Sequence, residues 1–245
     1  MKIKHRYGLI GKNISYSFSK GHFTQKFKEQ GLVDHAYDNF DLPNLDTLEQ
    51  VFKTPALRGV NVTIPYKEQV IPYLEELDED AATIGAVNTI KIGKNGLKGY
   101  NTDAYGFQES LKPLLQPHHQ QALILGTGGA SKAVAFVLKR LNIHCVYVSR
   151  TAAQGRFTYD ALTATQIEKF TIIINCSPVG THPNVLEKPL LPYQGINANH
   201  LLYDLIYNPA ETAFLAEGRK RGGITQNGLP MLQLQAEKAW EIWNS

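Results

Sequence analysis

One stretch constrains this chain more than any other. Leu123-Ile124-Leu125-Gly126-Thr127-Gly128-Gly129-Ala130-Ser131 runs from an apolar strand through a glycine turn into a helix. Gly126 permits the tight turn, Gly128 keeps a Cβ out of the path of a pyrophosphate, and small Ser131 allows helix to pack on strand. The N–H groups that open the helix, from Gly129 and Ala130 onward, then face phosphate. A lone glycine pattern is weak evidence. Here it has its context, with strand Ala122–Leu125 before it, helix Ala130–Leu141 after it and a second strand, Cys145–Val148, beyond. That second strand ends Val148-Ser149-Arg150-Thr151, with no carboxylate to take a ribose hydroxyl. Arg150 instead suits a 2′-phosphate, through a charge-assisted bond of about 1.5–3 kcal/mol. The dinucleotide expected is NADP.

The 245 residues and 27.3 kDa leave room for two modest domains, and 43% hydrophobic against 19% charged residues is a globular balance. No run of about eighteen apolar residues exists to cross a membrane. The apolar stretch behind the basic start is only Tyr7 to Ile10, too short for a secretory signal. A cytoplasmic protein without membrane contact is expected. The formal charge of +3 leans mildly toward small anions. The densest basic spots, Lys26/Lys28 and Arg219-Lys220-Arg221, read as helix faces or ends, and no nucleic-acid motif is present. Cys145 and Cys176 lie in apolar runs without ligand spacing, so they read as small buried hydrophobes in a reducing compartment, with no metal site.

The first hundred or so residues alternate strand-like and helix-like segments: strand Tyr7–Gly11, helix Gly21–Gln30, strand Ala36–Leu42, helix Leu45–Phe52 and strand Gly59–Ile64. A hairpin, Val87–Ile92 with Leu97–Tyr100, closes this half. Asp103–Leu111 reads as a helix, and Pro113 to Gln120 as a linker. After the glycine-turn unit come strands Thr171–Ile174 and Leu201–Tyr203 and a final amphipathic helix, Gly228–Trp243. The fold class is α/β, with two α/β domains and a cleft between them. Residues 1–102, completed by the C-terminal helix 228–245, form the first domain, and 103–227 the Rossmann-like dinucleotide-binding domain.

Three polar clusters mark the first half: Ser15-Tyr16-Ser17-Phe18-Ser19, Asn61-Val62-Thr63-Ile64-Pro65-Tyr66-Lys67, and Gly85-Ala86-Val87-Asn88-Thr89 followed by Asn101-Thr102-Asp103-x-x-Gly106. Each alone has a plain structural explanation, such as a helix cap. In this order, ahead of a dinucleotide fold, they resemble the shikimate dehydrogenase family along nearly the whole chain. The resemblance continues through Asn175-x-Ser177-Pro178-x-Gly180, Tyr203-Asp204-x-x-Tyr207-x-Pro209-x-x-Thr212 and Asn227-Gly228-x-x-Met231-Leu232-x-x-Gln235-Ala236.

The resemblance implies reversible reduction of 3-dehydroshikimate to shikimate with NADPH, a step of aromatic amino-acid biosynthesis. It implies an N-terminal substrate-binding domain, with Lys67 and Asp103 as the catalytic pair. Ser17 and Ser19 would hold the substrate carboxylate. Asn61, Thr63, Asn88, Tyr207 and Gln235 would bind the carboxylate or ring hydroxyls. Leu205 and Gly228 would approach the nicotinamide, and Gly126, Gly128, Gly129, Ala130, Ser149, Arg150 and Thr151 would hold the rest of NADP. The partner is the small-molecule substrate alone, in a monomer or homodimer.

The chain departs from the family in places. Where relatives commonly read Pro-Ile-x-His-Ser-x-Ser-Pro, it has Asn13-Ile14-Ser15-Tyr16-Ser17-Phe18-Ser19-Lys20, keeping both serines without the prolines. His22 arrives one position early for the family histidine. Gln154 stands where a second basic residue is common, with Arg156 as a substitute. The span Arg156–Phe170 is short for a βα unit. Two rivals stand beside this reading: a quinate/shikimate dehydrogenase with broader substrate or NAD use, and a non-catalytic dinucleotide-binding sensor.

Overall fold

The computed structural model describes residues 3–15 and 17–245. Tyr16, within the serine cluster, lies outside the described residues, as do Met1 and Lys2. The chain divides into two compact units, Met1–Thr102 with Ala236–Ser245, and Asp103–Gln235.

In the first unit the chain runs β1 (His5–Gly11), α1 (Phe18–Glu29), β2 (His35–Asp41), α2 (Leu48–Phe52), β3 (Leu57–Val62), β4 (Glu76–Leu77), α3 (Glu79–Ile84), β5 (Thr89–Gly93) and β6 (Gly96–Tyr100). The sheet order is β2-β1-β3-β5-β6-β4. β1 pairs in parallel with β2 and β3, whereas β5 runs antiparallel to β3 and β6. Strand alternation gives the sheet two apolar faces. Ile10, Val60 and Val62 join Leu48, Val70 and Ile90 in one core cluster. Tyr7 and Leu9 join Phe23 and Phe27 of α1 with Ala236, Ala239 and Trp243 in the other.

The second unit begins with α4 (Thr102–Leu111), whose first residue still belongs to the first unit. It continues β7 (Gln121–Leu125), α5 (Gly129–Arg140), β8 (His144–Ser149), β9 (Arg156–Thr158), α6 (Ala164–Lys169), β10 (Ile172–Asn175), β11 (Leu201–Asp204), α7 (Ala213–Lys220) and β12 (Ile224–Gln226), then enters α8 (Leu229–Asn244). Its sheet, β12-β11-β10-β7-β8-β9, is parallel throughout. Such a sheet is covered on both faces, and its strands read as nearly continuous Ile, Leu and Val. The strand order reverses between β7 and β10, and the glycine turn leaves β7 at that switch point.

The structure revises several expectations. The final helix is shared between the units, Leu229–Gln235 grouping with the second and Ala236–Ser245 with the first. A Cβ on Gly106 of α4 would lie 2.5 Å from the Met231 carbonyl and 3.0 Å from the Gln235 nitrogen, so the start of α8 is tied to α4. The stretch expected to be a linker is held in place. His119 is buried, its Nδ1 accepting the Gln116 N–H at 3.0 Å while its Nε2 meets the Asn199 carbonyl at 3.1 Å. The span 156–170 packs β9 and the six-residue α6 into a short connection. α3, α7 and β12 carry too few residues to show a clear period. Cys145 lies in β8 but Cys176 one residue beyond β10, and both are free and half-buried. Three cations of the basic spots pair locally: Lys26 with Glu237, Arg219 with Glu211 at 2.6 Å, and Arg221 with Glu217. No helix among the described residues is long and apolar enough to cross a membrane.

The return of α8 rests on one close fit. The Trp243 indole donates to the Ile90 carbonyl at 3.0 Å and stacks on Tyr7 with centroids 4.9 Å apart. A Cβ on Gly59 would enter that indole and come within 2.8 Å of the same carbonyl. Gly59→Ala is expected to cost about 1–3 kcal/mol by overpacking. Urea denaturation followed by tryptophan fluorescence measures this, and an unchanged midpoint would show that the indole has room to move.

Candidate active site

In the first unit, polar side chains gather where β1 and β3 end and β5 begins. Asn61 is the penultimate residue of β3, opposite Leu9 of β1 and Thr89 of β5. Its carboxamide is buried, and its polarity is decided by a neighbour that can only accept. The Asn88 carbonyl lies 3.3 Å from Asn61 Nδ2, and Thr89 Oγ1 takes the same nitrogen at 3.1 Å. The Oδ1 end therefore points to Tyr37, whose hydroxyl donates to it at 2.8 Å. Burial pushes the Tyr37 phenol far above the usual range, against a smaller opposing influence from the Ser19 hydroxyl beside it. It stays a neutral donor.

Asn88 continues the chain of contacts. Its Oδ1 accepts the Thr102 N–H at 2.7 Å, and its Nδ2 donates to Thr102 Oγ1 at 3.0 Å. Thr102 starts α4, so Asn88 satisfies one of the N–H groups a helix start leaves open. Asp103 follows in the first turn and is buried. Ser17 caps α1, its Oγ accepting the Lys20 N–H at 3.2 Å, and Ser19 is buried in the first turn. Lys67 sits half-buried beyond β3, its carbonyl taking the Val87 N–H at 2.7 Å. Half-buried Thr63 donates its N–H to the Ile10 carbonyl at 2.9 Å. His22 is engaged with Glu237 at 3.0 Å.

Ser19, Asn61 and Asn88 thus share one buried network, linked by Tyr37, Thr89 and Thr102. Tyr37 was not singled out in the sequence, where it reads as one more aromatic residue in a strand. Its only signal is the alternation that puts Tyr37 and Asn39 on one face of β2.

In the second unit the glycine turn takes the form its residues imply. Gly126 has φ +103° and donates its N–H to the Val148 carbonyl at 3.0 Å. A Cβ there would also come within 3.3 Å of the Cys176 carbonyl. Gly128 occupies the N-cap of α5 with nothing within 4 Å of where a Cβ would sit, and the helix has no side-chain cap. Gly129 and Ala130 open the helix, and Ser131 is buried with its hydroxyl on the Gly128 carbonyl at 2.7 Å. Ser149 is buried at the end of β8, bonded to the Thr151 carbonyl at 2.5 Å, and Arg150 and Thr151 are exposed beyond it. Arg156 of β9 sits 5.7 Å over the Tyr147 ring.

Leu205, Tyr207 and Gly228 fall on neighbouring loops. Leu205 donates its N–H to the Asn175 carbonyl at 3.0 Å, and Gly228 its own to the Ile206 carbonyl at 3.0 Å. Tyr207 is partly exposed. Gln235 is buried, its Nε2 donating to the Leu232 carbonyl one helical turn back at 2.9 Å. Among the described residues, no group of three or more His, Cys, Asp or Glu is placed to hold a metal ion.

Asp204 is the exceptional titratable group of this unit. It is fully buried at the end of β11, and burial pushes its carboxyl up to about 6, against the opposing hydrogen bonds from Thr212, Ile206 and Asn175. Below the ordinary aspartate value both folded and unfolded chains hold the proton, and above about 6 neither does. Between these limits the folded chain keeps the proton longer, so this group's contribution to stability declines as pH rises from about 4 to 6. The loss amounts to about 3 kcal/mol. In urea titrations between those limits, Asp204→Asn is expected to lack this decline. Parallel pH dependence in the two chains would refute the assignment.

A family model described as the shikimate dehydrogenase substrate binding domain matches residues 9–90. A shikimate dehydrogenase (NADP(+)) of Caldanaerobacter subterraneus subsp. tengcongensis is 38% identical, over 97% of this chain and 90% of its own. Among solved structures, a shikimate dehydrogenase in complex with NADP+ superposes with a TM-score of 0.87 at 34% identity, covering 98% of this chain and 90% of the other. One from Thermus thermophilus, in complex with NADP(H) and shikimate, superposes with a TM-score of 0.86 at 30% identity, covering 98% and 93%. With similarity of this degree along nearly its whole length, the chain belongs to the shikimate dehydrogenase family.

Proposed function

We propose that the chain is an NADP-dependent oxidoreductase that interconverts 3-dehydroshikimate and shikimate, a step of aromatic amino-acid biosynthesis. The observation that carries this reading is the near full-length likeness to enzymes named for that reaction and that cofactor. The second unit's residues fit the cofactor. The turn at Gly126 is left-handed, the side of Gly128 is open, α5 has no side-chain cap, and Arg150 and Thr151 stand exposed at the neighbouring strand end. α5 offers its N–H groups to a pyrophosphate, and Arg150 a guanidinium to a 2′-phosphate. When bound, NADP supplies or accepts the hydride at the ring carbon.

The remaining roles belong to the chain. As a ketone is reduced, negative charge grows on its oxygen, and the Lys67 ammonium stabilises it and delivers the proton. In the oxidation direction the same group takes the proton back. Asp103 orients Lys67 and hydrogen-bonds a neighbouring hydroxyl. The network supports distinct duties for the polar residues. Both Nδ2 hydrogens of Asn61 are committed within the protein, so toward a ligand it acts as acceptor from a ring hydroxyl rather than donor to a carboxylate. The Ser17 oxygen accepts from the backbone, so its own O–H is the donor a carboxylate would meet. Thr63, Asn88, Tyr207, Gln235 and Ser19 would complete the substrate contacts, and Leu205 and Gly228 would approach the nicotinamide. A cytoplasmic location fits the two free thiols, Cys145 and Cys176.

The direct test follows formation of reduced nicotinamide by absorbance, with shikimate or quinate offered together with NADP⁺ or NAD⁺. Turnover with shikimate and NADP⁺ alone is expected. Turnover with quinate or NAD⁺ would move the function to the broader branch of the family, and none in any pairing would promote a sensor. Lys67→Ala is expected to lower kcat by about 10²–10⁴ with a milder effect on KM. Undiminished kcat in that variant would remove Lys67 from the chemistry.

A further inference from the structure

Asp204 has no part in the roles above, yet its carboxylate gathers three donors from three segments. Oδ1 accepts from Asn175 Nδ2 and from the Ile206 N–H, each at 3.0 Å, and Oδ2 accepts the Thr212 hydroxyl at 2.6 Å. Asn175 ends β10, Ile206 lies in the loop after β11, and Thr212 caps α7, its Oγ1 also accepting the Leu215 N–H at 3.3 Å. The bonds around it extend the knot. Asn175 Oδ1 accepts the Ser177 N–H at 3.0 Å and its hydroxyl at 2.6 Å. The Asn175 carbonyl holds the Leu205 N–H, and the Ile206 carbonyl holds that of Gly228.

A buried carboxylate is an expensive way to hold a loop. Among the described residues, burial and hydrogen bonds govern its titration, and its charge disfavours ionisation of the Cys176 thiol and the Tyr193 phenol. Its special property is acceptor capacity. No neutral side chain of this length offers two oxygens that take three donors at once. One donor, Ile206, lies at the middle of the segment 205–207, between Leu205 and Tyr207, and the other two belong to the strand end at Asn175 and the helix cap at Thr212.

We propose that Asp204 is a positioning residue for the reaction: by holding Asn175, Ile206 and Thr212 together it fixes the 205–207 segment, and with it Leu205 and Tyr207, beside Gly228. This rests on the proposed function, which puts those residues at the nicotinamide and the substrate. Remote bonds of this kind matter because a displacement of about 1 Å in a reacting geometry can cost about a hundredfold in rate.

The test compares Asp204→Ala and Asp204→Asn in the full chain. Alanine leaves all three donors without their acceptor. Asparagine keeps Oδ1 for Asn175 and Ile206, and its amide can donate to a Thr212 hydroxyl turned round to accept. For shikimate oxidation, Asp204→Ala is expected to lower kcat about 10–100-fold while KM for NADP⁺ changes less than about threefold. That split follows because the glycine turn and Arg150 are untouched. Asp204→Asn is expected to restore kcat to within about threefold of the parent. Hydrogen exchange at the Ile206 amide should be fast in the alanine variant and protected in the asparagine variant.

A folded Asp204→Ala with parental kcat would overturn the proposal, as would an asparagine variant as impaired as alanine. Should the alanine variant fail to fold, Thr212→Val must lower kcat and Thr212→Ser retain it, and equal kcat in that pair overturns the proposal. Absence of shikimate-dependent NADP⁺ reduction in the parent would instead defeat the functional reading. Ile206 exchange would then decide alone, equal protection in Asp204→Ala and parent refuting the knot.

Discussion

Buried polar atoms at the carboxyl ends of parallel strands must find partners, and most of what distinguishes this molecule follows from how they do. β3 ends at Asn61-Val62, β8 at Ser149, β10 at Asn175 and β11 at Asp204, each with the polar side chain buried. An unpaired group in such a place costs about 1–3 kcal/mol, so each side chain recruits the backbone of the segment that follows or of its neighbour. Ser149 holds Thr151, Asn175 holds Ser177 and Val179, and Asp204 holds Ile206. The loops that carry the proposed site residues are therefore shaped from the strand ends outward.

Two solutions to the same requirement stand side by side. In the first unit every partner is neutral, and a single backbone carbonyl, that of Asn88, sets the direction of the chain of bonds. It orients the Asn61 amide, which obliges Tyr37 to donate. Such a network costs little and leaves no choice of polarity. In the second unit a charge is buried instead, and the strain appears as a carboxyl raised to about 6. The advantage is one group accepting three donors, which a neutral amide matches only if Thr212 reverses its bond.

Legibility followed the distance over which each feature is determined. The glycine turn and the β8 end depend on residues a few positions apart, so local pattern suffices. The polar clusters of the first half were legible as a set through their order and spacing. Tyr37 was not, because its significance lies in a contact with a residue 24 positions away across the sheet. Asp204 stood inside a quoted motif without a role, since only the fold brings Asn175 and Thr212 to it. α6 and α7 were missed because six and eight residues show too little of a helical period. The division of α8 between Gln235 and Ala236 was out of reach for the opposite reason. Its sequence shows one continuous amphipathic helix, whereas the division depends on Gly106 packing at one end and Gly59 meeting Trp243 at the other.

By itself, the sequence determined the α/β class, the glycine turn between β7 and α5, the arginine just beyond β8, and the identity of the residues available for chemistry. These are local because φ preferences, strand and helix periods and side-chain charge act over a few residues. Tertiary structure decided which way each buried amide points, which hydroxyl is left to donate, and why an aspartate rather than an amide closes the loop after β11. Hydrogen-bond polarity is a property of a whole closed network. It is set wherever an atom that can only accept or only donate enters it, and folding alone brings that atom there.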